Sequence, residues 1–128
     1  MPVDQKPILV IDDCRINSLL LKHVLSKLGV VVHTAGTGEE GLSLTTGHDY
    51  RLIFLDIMLP GIDGFEVCRR IRALPLPEQP RIILLTAMGE AFPHSKVSEV
   101  GADGVFFKPI VPSQILEVAR ETVKEATP

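Results

Sequence analysis

The chain has 128 residues, 45% of them apolar and 23% charged, a profile that suits one domain with a real core. It lacks the run of about 18 apolar residues that a membrane span needs, so none is expected. A net charge of -3 without a basic stripe opposes a phosphate backbone, so direct binding of nucleic acid is not expected either.

Residues 1–6 carry no charged segment followed by an apolar core and are not read as a secretory signal. Cys14 and Cys68, placed in predicted helical regions, have no motif spacing; two isolated thiols suit a reducing cytoplasm. His23, His33, His48 and His94 are scattered without the spacing of a zinc site.

The first apolar run, residues 8–11, reads as a strand. Ile16, Leu20, Val24 and Leu28 then recur at helical spacing, and Gly29 stops that helix. A second strand is expected from the apolar run at residues 30–32, ending in Thr34-Ala35 without obvious chemistry. Thr37-Gly38-Glu39-Glu40 has the form of a capping box and opens a helix toward Gly47. Residues 52–55 form the third run. Asp63 with Glu66 starts another helix, carrying Phe65, Val67, Cys68 and Ile71. Residues 75–80, rich in proline, read as an extended loop rather than a domain linker. The fourth run covers residues 82–85, and Pro93 suits the first turn of a short helix ending near Gly101. A fifth run at residues 105–107 precedes a last helix from Pro112, with Ile115, Val118, Ala119 and Val123 on one face. Near-continuous apolar runs alternating with helices describe an α/β fold whose parallel strands are buried on both faces.

The chemistry lies where the strands end. The first run is followed by Asp12-Asp13, the third by Asp56, the fourth by Thr86 and the fifth by Lys108. In an open parallel sheet these ends share one edge, where ligands bind. Crowded carboxylates repel one another unless a cation neutralises them. Oxygen donors without Cys or His favour a hard ion such as magnesium. With a cation present, a carboxylate can take a phosphoryl group as a nucleophile, and Lys108 can hold a phosphoryl oxygen. The plainer readings differ. Asp12 or Asp13 could cap a helix, Thr86 could be a strand residue and Lys108 could extend to solvent. A carboxylate directly after four buried apolar residues is costly if unpaired, so Asp56 resists such a reading.

The segments Ile8-Leu9-Val10-Ile11-Asp12-Asp13, Leu55-Asp56-Ile57-Met58-Leu59-Pro60-Gly61-Ile62-Asp63-Gly64, Leu85-Thr86-Ala87, Gly101-Ala102-Asp103 and Lys108-Pro109 together resemble the receiver domain of two-component response regulators. The resemblance covers essentially the whole chain. It implies a (βα)5 flavodoxin-like three-layer sandwich with a parallel sheet of order 2-1-3-4-5, as one domain over residues 1–128 with an ordered core near 7–125. It also implies that Asp56 is the phosphoacceptor. Asp13, Asp56 and the Met58 backbone carbonyl would ligate Mg2+, with Asp12 acting through a water. Thr86 and Lys108 would contact the phosphoryl group, Ala87 would leave the site open to the donor, and the Lys108-Pro109 peptide would be cis.

The partners implied are a sensor histidine kinase or phosphotransfer protein, and a downstream effector or covalently linked output domain. Such a regulator is cytoplasmic and modifies only itself. A phosphatase with an Asp-x-Asp pattern is disfavoured because Met58 occupies the second acid's position. The other alternative is a pseudo-receiver that docks proteins without phosphorylation. Two departures from the family pattern stand out. Val105 occupies the position three before the lysine where the family carries Tyr or Phe, which predicts a weaker or differently routed switch. Phe106 cannot replace that ring, because adjacent strand residues face opposite sides. Met58 and Met88 flank the place of the attacking water and cannot orient it well, which predicts a long-lived phosphoryl group.

Overall fold

The computed structural model describes residues 6–89 and 91–125, the side chains of 124 and 125 excepted. The start of the segment read as non-secretory, residues 1–5, lies outside the described residues, as do 126–128. Five strands and five helices alternate: β1 (Ile8–Ile11), α1 (Arg15–Ser26), β2 (Val32–Ala35), α2 (Gly38–Gly47), β3 (Leu52–Asp56), α3 (Gly64–Ala73), β4 (Arg81–Thr86), α4 (Ser95–Glu99), β5 (Gly104–Phe107) and α5 (Pro112–Glu125). The strands form one sheet of order β2-β1-β3-β4-β5, and every pairing is parallel.

Alternation along each strand divides the core into two layers. Leu9, Ile11, Ile53, Leu55, Ile82 and Leu84 face α2, α3 and α4, where Val67, Cys68, Ile71 and Val100 meet them. Ile8, Val10, Leu52, Phe54, Ile83 and Leu85 face α1 and α5, against Leu21, Leu25, Ile115 and Ala119. A strand covered on both sides has no polar face, which is why β1 and β3 read as unbroken apolar runs. Each fully buried Leu or Ile contributes roughly 1.5–3 kcal/mol of hydrophobic stabilisation.

Local chemistry sets the helix starts. Thr37 caps α2 by accepting a hydrogen bond from the Glu40 N–H at 3.1 Å. Glu40 reaches back one residue further than a capping box requires, to the Gly36 N–H at 2.7 Å. Asp63 caps α3 by accepting from the Glu66 N–H at 2.9 Å. Residues 75–80 form an irregular connection, as expected.

Four expectations are corrected. β2 runs from Val32 to Ala35, so it ends at Thr34-Ala35 as expected but begins only at the last residue of the 30–32 run. It is an edge strand with His33 half-buried and Thr34 exposed, so its polar positions hide it from a search for apolar runs. The α1 stripe of Ile16, Leu20, Val24 and Leu28 is only in part the buried face: Val24 is buried and Leu28 half-buried, but Ile16 is 76% exposed, and Ser18, Leu21 and Leu25 complete the buried side. Steps of four residues overshoot a turn by about 40° each, so such a stripe winds away from the core. Pro93 precedes α4 rather than lying in its first turn; its carbonyl accepts from the Lys96 N–H at 2.9 Å. Cys14 is not helical but is the extended residue that precedes α1.

Candidate functional site

The acidic pair follows β1 directly. Asp12 is buried, and Asp13 is exposed. Asp12 turns the chain from β1 into α1: its Oδ1 accepts from the Cys14 N–H at 2.8 Å, and its Oδ2 accepts from Asn17 Nδ2 at 3.5 Å. The Ser18 hydroxyl donates to the Asp12 carbonyl at 3.4 Å. Asp12 therefore orders the approach to α1 without capping it, because its carboxylate takes the N–H of Cys14, the residue before the helix.

Asp56 ends β3 and is only 3% exposed. Its Oδ1 accepts from the Met58 N–H at 3.2 Å. The loop after it is drawn close by Gly64, whose N–H donates to the Ile57 carbonyl at 2.8 Å. A Cβ at Gly64 would stand 2.6 Å from the Ile57 Cα and press on the Asp56 carbonyl oxygen. Gly61 adopts φ +78°, which a side chain rarely permits, so the turn between Asp56 and α3 depends on two glycines.

Lys108 follows β5, and the Lys108-Pro109 peptide is cis. Its Nζ lies 3.3 Å from Asp12 Oδ2 and 3.4 Å from Asp56 Oδ2, so one cation bridges two buried carboxylates. Burial works against the ammonium, yet Asp12 and Asp56 outweigh it and raise its pKa. Burial above all, and then the Asp12 charge, push the Asp56 carboxyl above its usual range; Lys108 and the Met58 N–H oppose this only in part.

Each of Asp12, Asp13 and Asp56 offers a carboxylate oxygen within 4.8 Å of the others. Oxygen donors at this spacing, with one lysine for two of the carboxylates, fit a hard divalent cation. An open groove of about 430 Å³ runs beside the pair, lined also by Arg15, Lys22 and Thr34.

Thr86 is fully buried at the end of β4, one residue beyond Leu85, the register partner of Asp56. Its hydroxyl accepts from the Met88 N–H at 3.0 Å and is turned into its own loop. Ala87 is exposed. Met58 offers its backbone to the site while its side chain points outward, 63% exposed. Sequence reasoning therefore found the charged groups but missed Asn17 and Ser18, which hold Asp12. Their signal was their position in the first turn of α1, directly after the acidic pair.

Residues 8–120 match the response regulator receiver domain. The chain belongs to that family. Phosphorylation-based switching in two-component signalling is the family's general function. This receiver domain is 41% identical over 124 residues to the transcriptional regulatory protein AfsQ1 of Streptomyces coelicolor, across 94% of the chain and 54% of that protein. It is 40% identical over 110 residues to the alkaline phosphatase synthesis transcriptional regulatory protein PhoP of Bacillus subtilis, across 86% and 45%. The chain thus spans about half the length of the curated relatives it matches. Among solved structures, a two-component response regulator from Clostridium difficile superposes with TM-score 0.87 at 26% identity, covering 97% of this chain and 100% of that one. The BeF3-activated DrrB receiver domain gives 0.80 at 30% identity, covering 94% and 98%. Among the described residues, no helix is long and apolar enough to cross a membrane.

Proposed function

We propose that this receiver domain accepts a phosphoryl group on Asp56 from a histidine kinase or phosphotransfer protein and passes the signal on by changing conformation. The observation that supports this most is a buried carboxylate bridged by Lys108 to a second buried carboxylate, with the exposed Asp13 alongside. An unreactive core would have no use for that arrangement, because burying such charge is costly.

Asp13, Asp56 and the Met58 carbonyl would hold Mg2+, with Asp12 acting through a water. When bound, the ion supplies positive charge that neutralises the carboxylates and the incoming phosphoryl oxygens. A carboxylate oxygen of Asp56 attacks phosphorus; the new O–P bond forms as the donor's N–P bond breaks, and the imidazole leaves. The Met58 N–H steadies Asp56 during the attack. Lys108 keeps its proton and shifts from the carboxylates toward a phosphoryl oxygen. Thr86 donates its hydroxyl to another oxygen, drawing the loop after β4 with it. The groove beside Asp13 and the small, exposed Ala87 leave room for the donor.

The protein acts as one cytoplasmic regulatory domain that modifies only itself, and its output lies in an effector protein or a linked domain. Transcriptional regulators among its relatives support a linked output, since each extends well beyond the matched half. The test is incubation with a small acyl phosphate, with and without magnesium, followed by intact mass. A magnesium-dependent adduct that disappears in Asp56→Asn is expected. Its decay should be slow, because the thioethers of Met58 and Met88 cannot orient the attacking water. Absence of an adduct from both an acyl phosphate and a phosphohistidine donor would leave the domain a protein-docking pseudo-receiver.

A further inference from the structure

Val105 leaves the site without an aromatic ring at its position, but the same face of β5 carries one two residues later. We infer that Phe107, through its contact with Phe92, transmits the state of the Asp56 site to α4. This rests on the reading of Asp56 as phosphoacceptor and specifies how this chain routes the signal.

Val105 and Phe107 share a strand face, because side chains alternate. Val105 packs on the layer that contains Phe92, Val97 and Val100, whereas Phe106 packs on the opposite layer with α5. In the β4–β5 register Val105 lies beside Leu84, but Phe107 lies beside Thr86. The next residue in the chain is Lys108, whose N–H donates to the Thr86 carbonyl at 2.7 Å. Phe107 is therefore the cross-strand partner of one residue assigned to the phosphoryl group and the chain neighbour of the other. Movement of either displaces its backbone.

The ring has a partner ready. Phe107 and Phe92 meet edge to face, with centroids 5.4 Å apart and planes at 87°. Phe92 is only 4% exposed and lies at the end of the loop that starts at Thr86. Around it are Phe65, with centroids 6.2 Å away, and His94, at 4.9 Å. His94 also touches Phe107, at 5.9 Å, and is the residue that precedes α4. Phe107 itself is 38% exposed, so its ring is free on the solvent side to change rotamer. Ala87, Gly89 and Ala91 in the intervening loop are small and exposed, whereas Met88, whose N–H is held by the Thr86 hydroxyl, packs against the same layer as Phe92 and so couples the loop to it. An aromatic ring in a strand has few rotamers, and a loop that moves by one contact offers it a choice between discrete packings.

The test is an amide and ring NMR comparison with and without beryllofluoride plus magnesium. In the native chain, shifts are expected at Met58 and Thr86, and also at the His94 ring and residues 95–100. In Phe107→Leu, which keeps apolar volume without the ring, the Met58 and Thr86 shifts persist while those at 95–100 fall about threefold or more. Phe107→Tyr keeps the ring and retains them, and Val105→Ala leaves them as in the native chain. Undiminished α4 shifts in Phe107→Leu, with the site shifts intact, overturn the relay alone. No shift at Met58 or Thr86 in the native chain overturns the Asp56 assignment and the relay with it.

Discussion

The carboxylate at position 56 pays twice for its place, once in lost solvation and once in proximity to Asp12, and Lys108 returns only part of this. Because its pKa is raised in the fold, the neutral form is favoured there. The sign follows from proton linkage. Stability tied to this group is fully present below the unfolded carboxyl pKa and is lost as pH rises through the folded one. At neutral pH and without metal, Asp56→Asn should therefore stabilise the protein by on the order of 1 kcal/mol. Calorimetry in chelator should show a higher thermal midpoint for the variant. That advantage should shrink as pH falls through the raised pKa, because the native carboxyl then becomes neutral too. Equal midpoints at neutral pH would mean that Lys108 compensates the charge completely. Tyr50 shows the same force in a different setting: burial pushes its phenol up to about 12, so it remains a neutral partner for His33 Nδ1, 2.7 Å away.

At the scale of elements, the loop that carries Asp56 into α3 depends on close backbone approach at Gly64 as well as on the side-chain bonds of Asp56 and Asp63. Gly64→Ala places a methyl group against the Ile57 Cα and the Asp56 carbonyl, which are backbone atoms that cannot rotate aside. A cost of about 1–3 kcal/mol is expected, together with slower phosphorylation, because the strand end that presents Asp56 must shift. Denaturant unfolding and the rate of adduct formation measure the two effects. Normal phosphorylation in a destabilised Gly64→Ala would show that the loop yields without moving Asp56. The sequence made this turn legible through Gly61, Asp63 and Gly64, whose residue types answer to local backbone demands. It made β1, β3 and β4 legible because unbroken apolar runs follow from burial on both faces. The face of α1 was misread because Leu21 and Leu25 are interleaved with exposed Leu19 and Leu20, and only the position of α5 and the sheet separates them. Two ring clusters were out of reach for a related reason. His33 of β2 meets His48 and Tyr50 of the connection between α2 and β3, and Phe107 of β5 meets Phe92 of the loop after β4. Neither meeting leaves a spacing signature in the chain.

At the scale of the molecule, the proposed site draws on four of the five strands: Asp12 after β1, Asp56 in β3, Thr86 in β4 and Lys108 after β5. At the opposite end of the sheet, Arg72 of α3 donates to the Gly101 carbonyl at 2.7 Å, the Pro80 carbonyl at 2.6 Å and Asp103 at 3.0 Å. Asp103 also accepts from the Ile82 N–H at 2.8 Å. Both ends of β4 are thus tied to neighbouring elements, so a ligand gripped at one end is expected to stabilise the whole cooperative unit rather than one flap. With magnesium and beryllofluoride at about a hundredfold excess over Kd, linkage sets the gain at about 2.7 kcal/mol. Hydrogen exchange should slow in β1 and β3 as well as in the loops around the site, and Asp56→Asn should remove the effect. Slowing confined to residues 86–92 would mean that the loop after β4 closes as a local lid. A full gain that survives in Asp56→Asn would place the ligand elsewhere.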